Sequence, residues 1–192
     1  PANAVNSNQV VKPEVVGAQI RSILESNDIK ATRAIIALPG PCIFTKKISI
    51  AASTLKDLHN NIMFEAANYI PHKIEAVHLD YQVLANNGRS MDVLLVAVKH
   101  EIVQGYLDAL DHAGLEPTIV DIDHFALENM FELNYPEERG KTVALLNIGS
   151  RFSGLNILQD GQSLFTGDVS VGGKLYGDAL VEQLKLDVAT AE

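Results

Sequence analysis

The apolar positions along this 192-residue chain follow two spacings, which predicts a mixed α/β protein. Apolar positions three or four residues apart predict four helices, beginning at Pro13, Ser53, Glu101 and Asp123. Short apolar or alternating runs predict strands at 34–38, 43–50, 76–84, 91–99 and 117–122. From residue 43 to 122 the order is β-α-β-β-α-β, which is compatible with one small sheet covered by two helices.

The run 93–98 is nearly all apolar, so we expect this strand to be covered on both faces. It is joined to the preceding strand through Asn86-Asn87-Gly88, whose residues favour a hairpin turn. The helix that begins at Glu101 is expected to end at Gly114, because glycine is preferred just past a helix C-terminus.

From residue 143 onward three strand-like runs are separated by two turns, and a double glycine precedes a helical pattern. Asp160-Gly161 lies between the second and third runs and predicts a tight hairpin, since both residues tolerate positive φ. This order resembles the layout of the second half of an actin-like nucleotide cleft. In that layout, backbone N–H groups of the first turn contact phosphate oxygens. The candidate nucleotide-contacting residues are Asn147, Gly149, Ser150, Ser153, Gly172 and Gly173.

Two observations limit this interpretation. The alternative interpretation is that Gly149 and Gly172 merely allow tight turns. Asn147 ends the first strand, where an acid that holds a metal-bound water is usual in such clefts. A neutral amide does not supply the charge that a carboxylate offers Mg²⁺.

Charge and cysteine content exclude several classes of function. The net charge is −9, with 24 acids, 15 bases and no dense basic run, which argues against nucleic acid or an anionic membrane surface as the ligand. Cys42 is the only cysteine, so the chain forms no internal disulfide, as expected in a reducing cytosol. The longest uncharged apolar run, 34–45, is too short to cross a bilayer and contains two prolines.

Other reactive side chains are better explained structurally. Asp121 and Asp123 could act as a pair, but Asp123 is adequately explained as a helix N-cap. Cys42 has no histidine nearby in sequence and is interpreted as a passive thiol. No two histidines, or histidine and cysteine, have metal-ligand spacing, so we interpret the histidines as surface or capping residues: His59, His72, His78, His100, His112 and His124.

Several stretches carry a more specific resemblance: AIIALPG (34–40), FEAANYIPHKIEAV (64–77), GLEPTIVDIDHFALEN (114–129), 146–153 and 171–174. Together they resemble the PilM family of type IV pilus assembly proteins, actin-like cytoplasmic proteins related to FtsA. The resemblance covers nearly all of residues 14–185. It implies an actin-like (ribonuclease H-like) α/β fold. Residues 1–42 would belong to the first lobe, 43–135 to an inserted β-α-β-β-α-β subdomain and 136–192 to the start of the second lobe.

The resemblance also implies a function. Such a protein is a scaffold at the cytoplasmic face of the inner membrane, without inserting into it, and binds the N-terminal segment of the membrane protein PilN. Other pilus-machine proteins and self-association are further candidates, and ATP with Mg²⁺ is implied in the full-length protein. Tyr69, in the inserted subdomain, is a candidate partner contact; alternatively, Tyr69 and Ile70 close its core. The competing function is an actin-superfamily ATPase or kinase with genuine turnover.

The resemblance includes departures. Besides Asn147, the chain has Ser153 where threonine is usual and Tyr176-Gly177 where Leu-Thr commonly follows the double glycine. The family's first phosphate loop and its adenosine-binding glycines lie outside these 192 residues, so we interpret the chain as a piece of a longer protein. We therefore expect it to bind ATP weakly or not at all.

Overall fold

The computed structural model describes residues 3–6 and 8–191, which form two compact units. The first unit contains residues up to Leu38 together with Cys42–Val120, and the second contains Pro39–Pro41 and the residues from Asp121 onward. The helices are α1 (Pro13–Ser26), α2 (Leu55–Ala66), α3 (His100–Ala113), α4 (Asp123–Asn134), α5 (Gly173–Leu184) and α6 (Val188–Ala191). The strands are β1 (Val5–Asn6), β2 (Gln9–Val10), β3 (Arg33–Leu38), β4 (Ile43–Ile50), β5 (Val77–Asn86), β6 (Met91–Lys99), β7 (Glu116–Ile122), β8 (Thr142–Ile148), β9 (Ser153–Gln159) and β10 (Gln162–Val169).

The largest core of the first unit lies between α2 and an antiparallel sheet with the order β4-β6-β5. Helix α2 buries Leu58, Ile62 and Ala66, which recur at helical spacing. The central strand β6 buries residues on both faces, as its continuous apolar run predicts. Burial of this apolar surface is the dominant favourable contribution to the stability of the subdomain.

The remaining elements of the first unit form a separate group. Strand β7 pairs with β3 in a two-stranded sheet, and α3 packs against α1. The two helices approach closely at Gly17, where a Cβ atom would lie 2.6 Å from the Ala109 carbonyl oxygen. The predicted order β-α-β-β-α-β is correct, but its strands are divided between two sheets and do not form one sheet with two helices.

Two predicted helix caps are wrong by one residue. Helix α2 is capped by Thr54 instead of Ser53: the Thr54 hydroxyl accepts a hydrogen bond from the Asp57 N–H at 3.1 Å, and the Asp57 carboxylate accepts from the Thr54 N–H. Asp123 is the first residue of α4, after the cap position at Ile122. Its carboxylate accepts from the N–H of Gly40 at 3.0 Å and from the N–H of His124 at 2.8 Å.

The second unit is built on an antiparallel meander with the order β10-β9-β8. Asp160 and Gly161 form the β9–β10 turn with φ of 53° and 73°, so the predicted tight hairpin is confirmed. Helix α5 begins directly after Gly172. The β8–β9 turn and the double glycine therefore lie at the two ends of the segment formed by β9 and β10.

The mixed α/β architecture is confirmed. The division into three parts at residues 42 and 135 stays a prediction. Among the described residues, no helix has both the length and the apolar character needed to cross a bilayer.

Candidate functional site

The first candidate site is formed by two turns of the second unit, which we call the paired glycine turns (149–152 and 170–173). The turn between β8 and β9 is closed by a hydrogen bond of 2.9 Å from the Gly149 N–H to the Phe152 carbonyl. The N–H groups of Gly173 and Lys174 donate to the carbonyl oxygens of Gly149 and Ser150, at 2.9 and 2.8 Å. The two turns are thus joined directly by backbone hydrogen bonds.

Gly172 allows this close approach. A Cβ atom at this position would lie 2.5 Å from the Gly149 carbonyl oxygen and 2.6 Å from that of Ser150. Its φ of −160° is extended backbone that any residue adopts, so glycine is needed for space and not for conformation. The predicted nucleotide contacts at Gly149, Ser150, Gly172 and Gly173 are therefore brought together by the packing of one turn on the other.

Several polar groups of these turns are already engaged within the protein. The Ser153 hydroxyl is buried and donates to the Val171 carbonyl at 2.7 Å, and the Gly149 N–H is used within its own turn. By contrast, the N–H groups of Ser150 and Arg151 donate to no acceptor in the part of the chain that the structure describes, and both residues are exposed. The groups available to an anion are therefore the Ser150 and Arg151 amides.

Arg151 was not among the residues predicted from the sequence. It lies at the tip of the β8–β9 turn, and its guanidinium has no ion pair among the described residues. Together with the two amides, this cation gives the turn the donors that a phosphate group prefers. The sequence signal that could have identified Arg151 is a basic residue inside the predicted small-residue turn, directly after Gly149-Ser150.

Asn147 lies near the end of β8, opposite Gly154 of β9, and is exposed. Its amide brings no charge to the site. Within the described ranges, no group of three or more histidine, cysteine, aspartate or glutamate side chains is arranged to hold a metal ion.

A buried histidine lies beneath the same meander. His124 is 7% exposed, so the interpretation of all six histidines as surface or capping residues is wrong for this one. Its Nδ1 lies 3.2 Å from the Asp123 carboxylate, and its Nε2 lies 3.5 Å from Asp168 Oδ1 without forming a hydrogen bond among the described residues. The pKa of the Asp168 carboxyl is raised above its ordinary value, mainly because burial disfavours the charged form. The nearby His124 lowers this pKa in part, and Asp123 raises it further.

The backbone leaves little room around this histidine. A Cβ atom on Gly154 would lie 2.9 Å from His124 Nε2, so the strand packs directly on the imidazole. Asn156 is also buried, donates to the Glu128 carboxylate at 3.0 Å and accepts from the Ser163 hydroxyl at 2.7 Å. These polar contacts hold α4 against the meander.

The second candidate site is on the first unit, around the predicted partner contact Tyr69. Its side chain is 38% exposed, and the Lys46 ammonium lies 4.7 Å from the ring centroid, a cation–π contact. Ile70, by contrast, is buried in the core beneath α2. The two adjacent residues therefore have different roles: Ile70 closes the core, whereas Tyr69 lies at the surface.

The first unit also has an open cavity of about 640 Å³, whose first lining segment begins at Pro71, two residues after Tyr69. It is lined mainly by basic and histidine side chains, in two segments: Pro71, His72, Lys73 and Ala76, then Lys99, His100 and Glu101. Lys99 and Glu101 form an exposed ion pair at 3.7 Å. The rings of His78 and His100 meet edge to face at 4.1 Å, and burial together with the neighbouring His100 lowers the pKa of His78.

Comparisons with known proteins identify the family and the fold. The family model described as type IV pilus assembly protein PilM matches residues 1–192. A solved structure of a PilM–PilN type IV pilus biogenesis complex is 26% identical, with a TM-score of 0.87; the match covers 100% of this chain and 58% of that one. The chain thus spans little more than half of that relative.

Two further structures show the same fold at low identity. One is the cytoplasmic domain of EpsL, an inner-membrane component of the Vibrio cholerae type II secretion system, with 15% identity, a TM-score of 0.57 and coverage of 89% and 63%. The other is the ethanolamine utilization protein EutJ of Carboxydothermus hydrogenoformans, with 13% identity, a TM-score of 0.55 and coverage of 99% and 48%. The fold is actin-like, and since the family model matches its whole length, the chain belongs to the type IV pilus assembly protein PilM family.

Proposed function

We propose that the full-length protein is a scaffold of the type IV pilus machine that binds the cytoplasmic N-terminal segment of PilN. The observation that carries this proposal is the match of the whole chain to a PilM–PilN complex at a TM-score of 0.87. Such a protein acts at the cytoplasmic face of the inner membrane through its membrane-bound partner. Its role is to bind, and it requires no covalent chemistry.

The Tyr69 surface is our candidate for the peptide contact. Tyrosine offers a large apolar ring with a polar tip, which suits an interface with an extended segment. Lys46 restrains the ring through the cation–π contact, so less side-chain entropy is lost on binding. The adjoining cavity at Pro71–Ala76 and Lys99–Glu101 supplies room and hydrogen-bond donors for the rest of a peptide.

Titration of a PilN N-terminal peptide against the full-length protein tests both parts of this proposal. We expect saturable binding, and at least tenfold weaker binding in Tyr69→Ala. Tyr176→Ala is the matched control, because Tyr176 is an exposed tyrosine of the second unit. Absence of binding to the unaltered protein refutes the function. Equal affinities of the wild-type protein and Tyr69→Ala remove Tyr69 from the interface but leave the function standing.

Nucleotide is proposed as a structural ligand of the full-length protein. The Ser150 and Arg151 amides and the Arg151 guanidinium fit a phosphate group, whereas Asn147 does not replace the acid that would hold a metal-bound water. When bound, the nucleotide would supply phosphate oxygens as acceptors for these two amides and for the Arg151 guanidinium. A phosphate-release assay on the full-length protein tests the ATPase or kinase alternative. Release that stays at background excludes this alternative. Release at ordinary enzyme rates that Arg151→Ala abolishes would establish it.

A further inference from the structure

A separate pocket lies in the second unit, between the end of α4, the segment 135–141 that links α4 to β8, and the β9–β10 turn. Its volume is about 120 Å³. Phe131 and Tyr135 stack along one wall with ring centroids 5.3 Å apart and an angle of 25° between the planes. The apolar residues Val143 and Leu158 also line it. The pocket thus combines an aromatic and aliphatic wall with charged side chains.

The size of the pocket limits what enters it. A cavity of about 150 Å³ lined by apolar side chains holds a molecule the size of benzene. A nucleotide or a typical small-molecule ligand needs several hundred Å³. A single aliphatic or aromatic side chain is therefore the group that matches about 120 Å³.

Four charged side chains line the pocket: Glu138 and Lys141 pair with each other, whereas Glu132 and Arg139 form no ion pair among the described residues. Glu138 and Lys141 neutralise each other through an ion pair at 2.8 Å. Arg139 lines the same pocket and is exposed, and within residues 3–6 and 8–191 no carboxylate pairs with its guanidinium. A planar guanidinium binds a carboxylate through two parallel hydrogen bonds. An acidic group next to the inserted side chain would give Arg139 this partner.

The β9–β10 turn keeps the pocket open. Gly161 has a φ of 73°, and a Cβ atom there would lie 2.8 Å from Glu132 Oε1 and 3.7 Å from Arg139 Nε. A side chain at this position would therefore fill the space beside both charged groups. Glu132, which forms no ion pair in the described part of the chain, is available to accept a backbone N–H from a ligand.

We propose that this pocket binds a peptide segment of a partner protein that presents one aliphatic or aromatic side chain next to an acidic residue. The side chain enters the cavity against Phe131 and Tyr135, and the neighbouring carboxylate pairs with Arg139. The cavity volume and the unpaired arginine carry the proposal. It is independent of PilN binding, which we place on the other unit.

Selection from a displayed library of random 12-residue peptides on the full-length protein tests this proposal. We expect enriched peptides to share an aliphatic or aromatic residue adjacent to aspartate or glutamate. The best peptide, measured by fluorescence polarisation, should bind at least tenfold more weakly to Arg139→Glu and to Tyr135→Ala. Lys56→Glu makes the same charge change at an exposed site on α2 and should leave the affinity unchanged.

Three outcomes overturn the proposal. One is a selection that yields no peptide whose binding depends on Arg139, as expected if another part of the full-length protein covers the pocket. Another is an enriched set without acidic residues. The third is conversion of a dimer to a monomer by Arg139→Glu in sedimentation measurements, which would make a second copy of the chain the occupant. Because Arg139 and Tyr135 are exposed, both variants are expected to keep the fold, and circular dichroism verifies this.

Discussion

Two adjacent glycines of the paired glycine turns are equivalent in sequence but have different surroundings. At Gly172 a Cβ atom would meet two carbonyl oxygens within 2.6 Å, whereas at Gly173 the nearest such atom lies 3.9 Å away. Only the first position therefore requires glycine. The sequence shows that a double glycine is present, but it does not show which of the two is packed against the other turn.

We expect Gly172→Ala to lower the free energy of unfolding by about 1–3 kcal/mol, the usual cost of inserting a methyl group into a packed site. Gly173→Ala is the matched control and should be tolerated, since its Cβ atom makes an ordinary contact and lies in the first turn of α5. Urea denaturation of both variants measures the difference. Equal stabilities would contradict the packing of the two turns.

The contact between His78 and His100 gives a prediction about pH. Burial, and then His100, lowers the pKa of His78, so the folded protein favours neutral His78. The unfolded chain then binds more protons just below the ordinary value of 6.5, and the free energy of unfolding rises with pH through that window. We expect His100→Gln to raise the pKa of His78 toward, but not to, its ordinary value, because burial remains.

Nuclear magnetic resonance titration of the His78 imidazole measures this change. His59→Gln is the control, because His59 is an exposed histidine on α2. A His78 pKa that does not respond to His100→Gln would show that the neighbouring ring contributes nothing to the shift.

At the level of elements, local patterns predicted the helices and strands well but not their neighbours in space. Apolar spacing placed β4 and β6 at their observed bounds, and Asp160-Gly161 identified the hairpin. The allocation of β7 to a sheet with β3 depends on contacts between distant residues, which no local pattern contains. Similarly, His124 follows an aspartate at a helix start, and only the packing of β9 shows that it is buried.

The cap of α2 shows how a one-residue error arises. Ser53 and Thr54 both have hydroxyls suited to capping, but only Thr54 is placed three residues before Asp57, which completes a reciprocal pair. We expect Thr54→Ala to lower the free energy of unfolding by about 1 kcal/mol.

Ser53→Ala is the control for this substitution. It removes one exposed hydrogen bond of 3.1 Å to Asp57 and leaves the backbone N–H groups paired, so its effect should be within about 0.5 kcal/mol. Thermal unfolding of the two variants compares them directly. A larger loss in Ser53→Ala would restore Ser53 as the cap.

At the level of the whole molecule, the sequence identified the paired glycine turns, but not which of their polar groups are already engaged. The Ser153 hydroxyl and Gly149 N–H are consumed by contacts within the protein, while the Ser150 and Arg151 amides are not. Hydrogen-bond partners of this kind are set by the exact path of two turns. The resemblance therefore indicated a candidate segment, but it did not show which of its donors are free.

This distribution of donors bears on nucleotide affinity. We expect calorimetry on the 192-residue chain to show no saturable Mg-ATP binding below about millimolar, which corresponds to about −4 kcal/mol. Two free amides and one arginine must compete with hydration of a highly charged ligand, and the net charge of −9 opposes its approach. A micromolar dissociation constant, lost in Arg151→Ala, would contradict this expectation.

The central position of β6 determines when its sheet is completed during synthesis. Strands β4 and β5 both precede β6 in the chain, yet each pairs with β6 and not with the other. The ribosome therefore releases two strands that lack their partner until residues 91–99 have emerged. During this interval the exposed edges could pair with other chains. The charges of Lys46 and Lys47, in the middle of β4, oppose such pairing and so act as gatekeepers against aggregation.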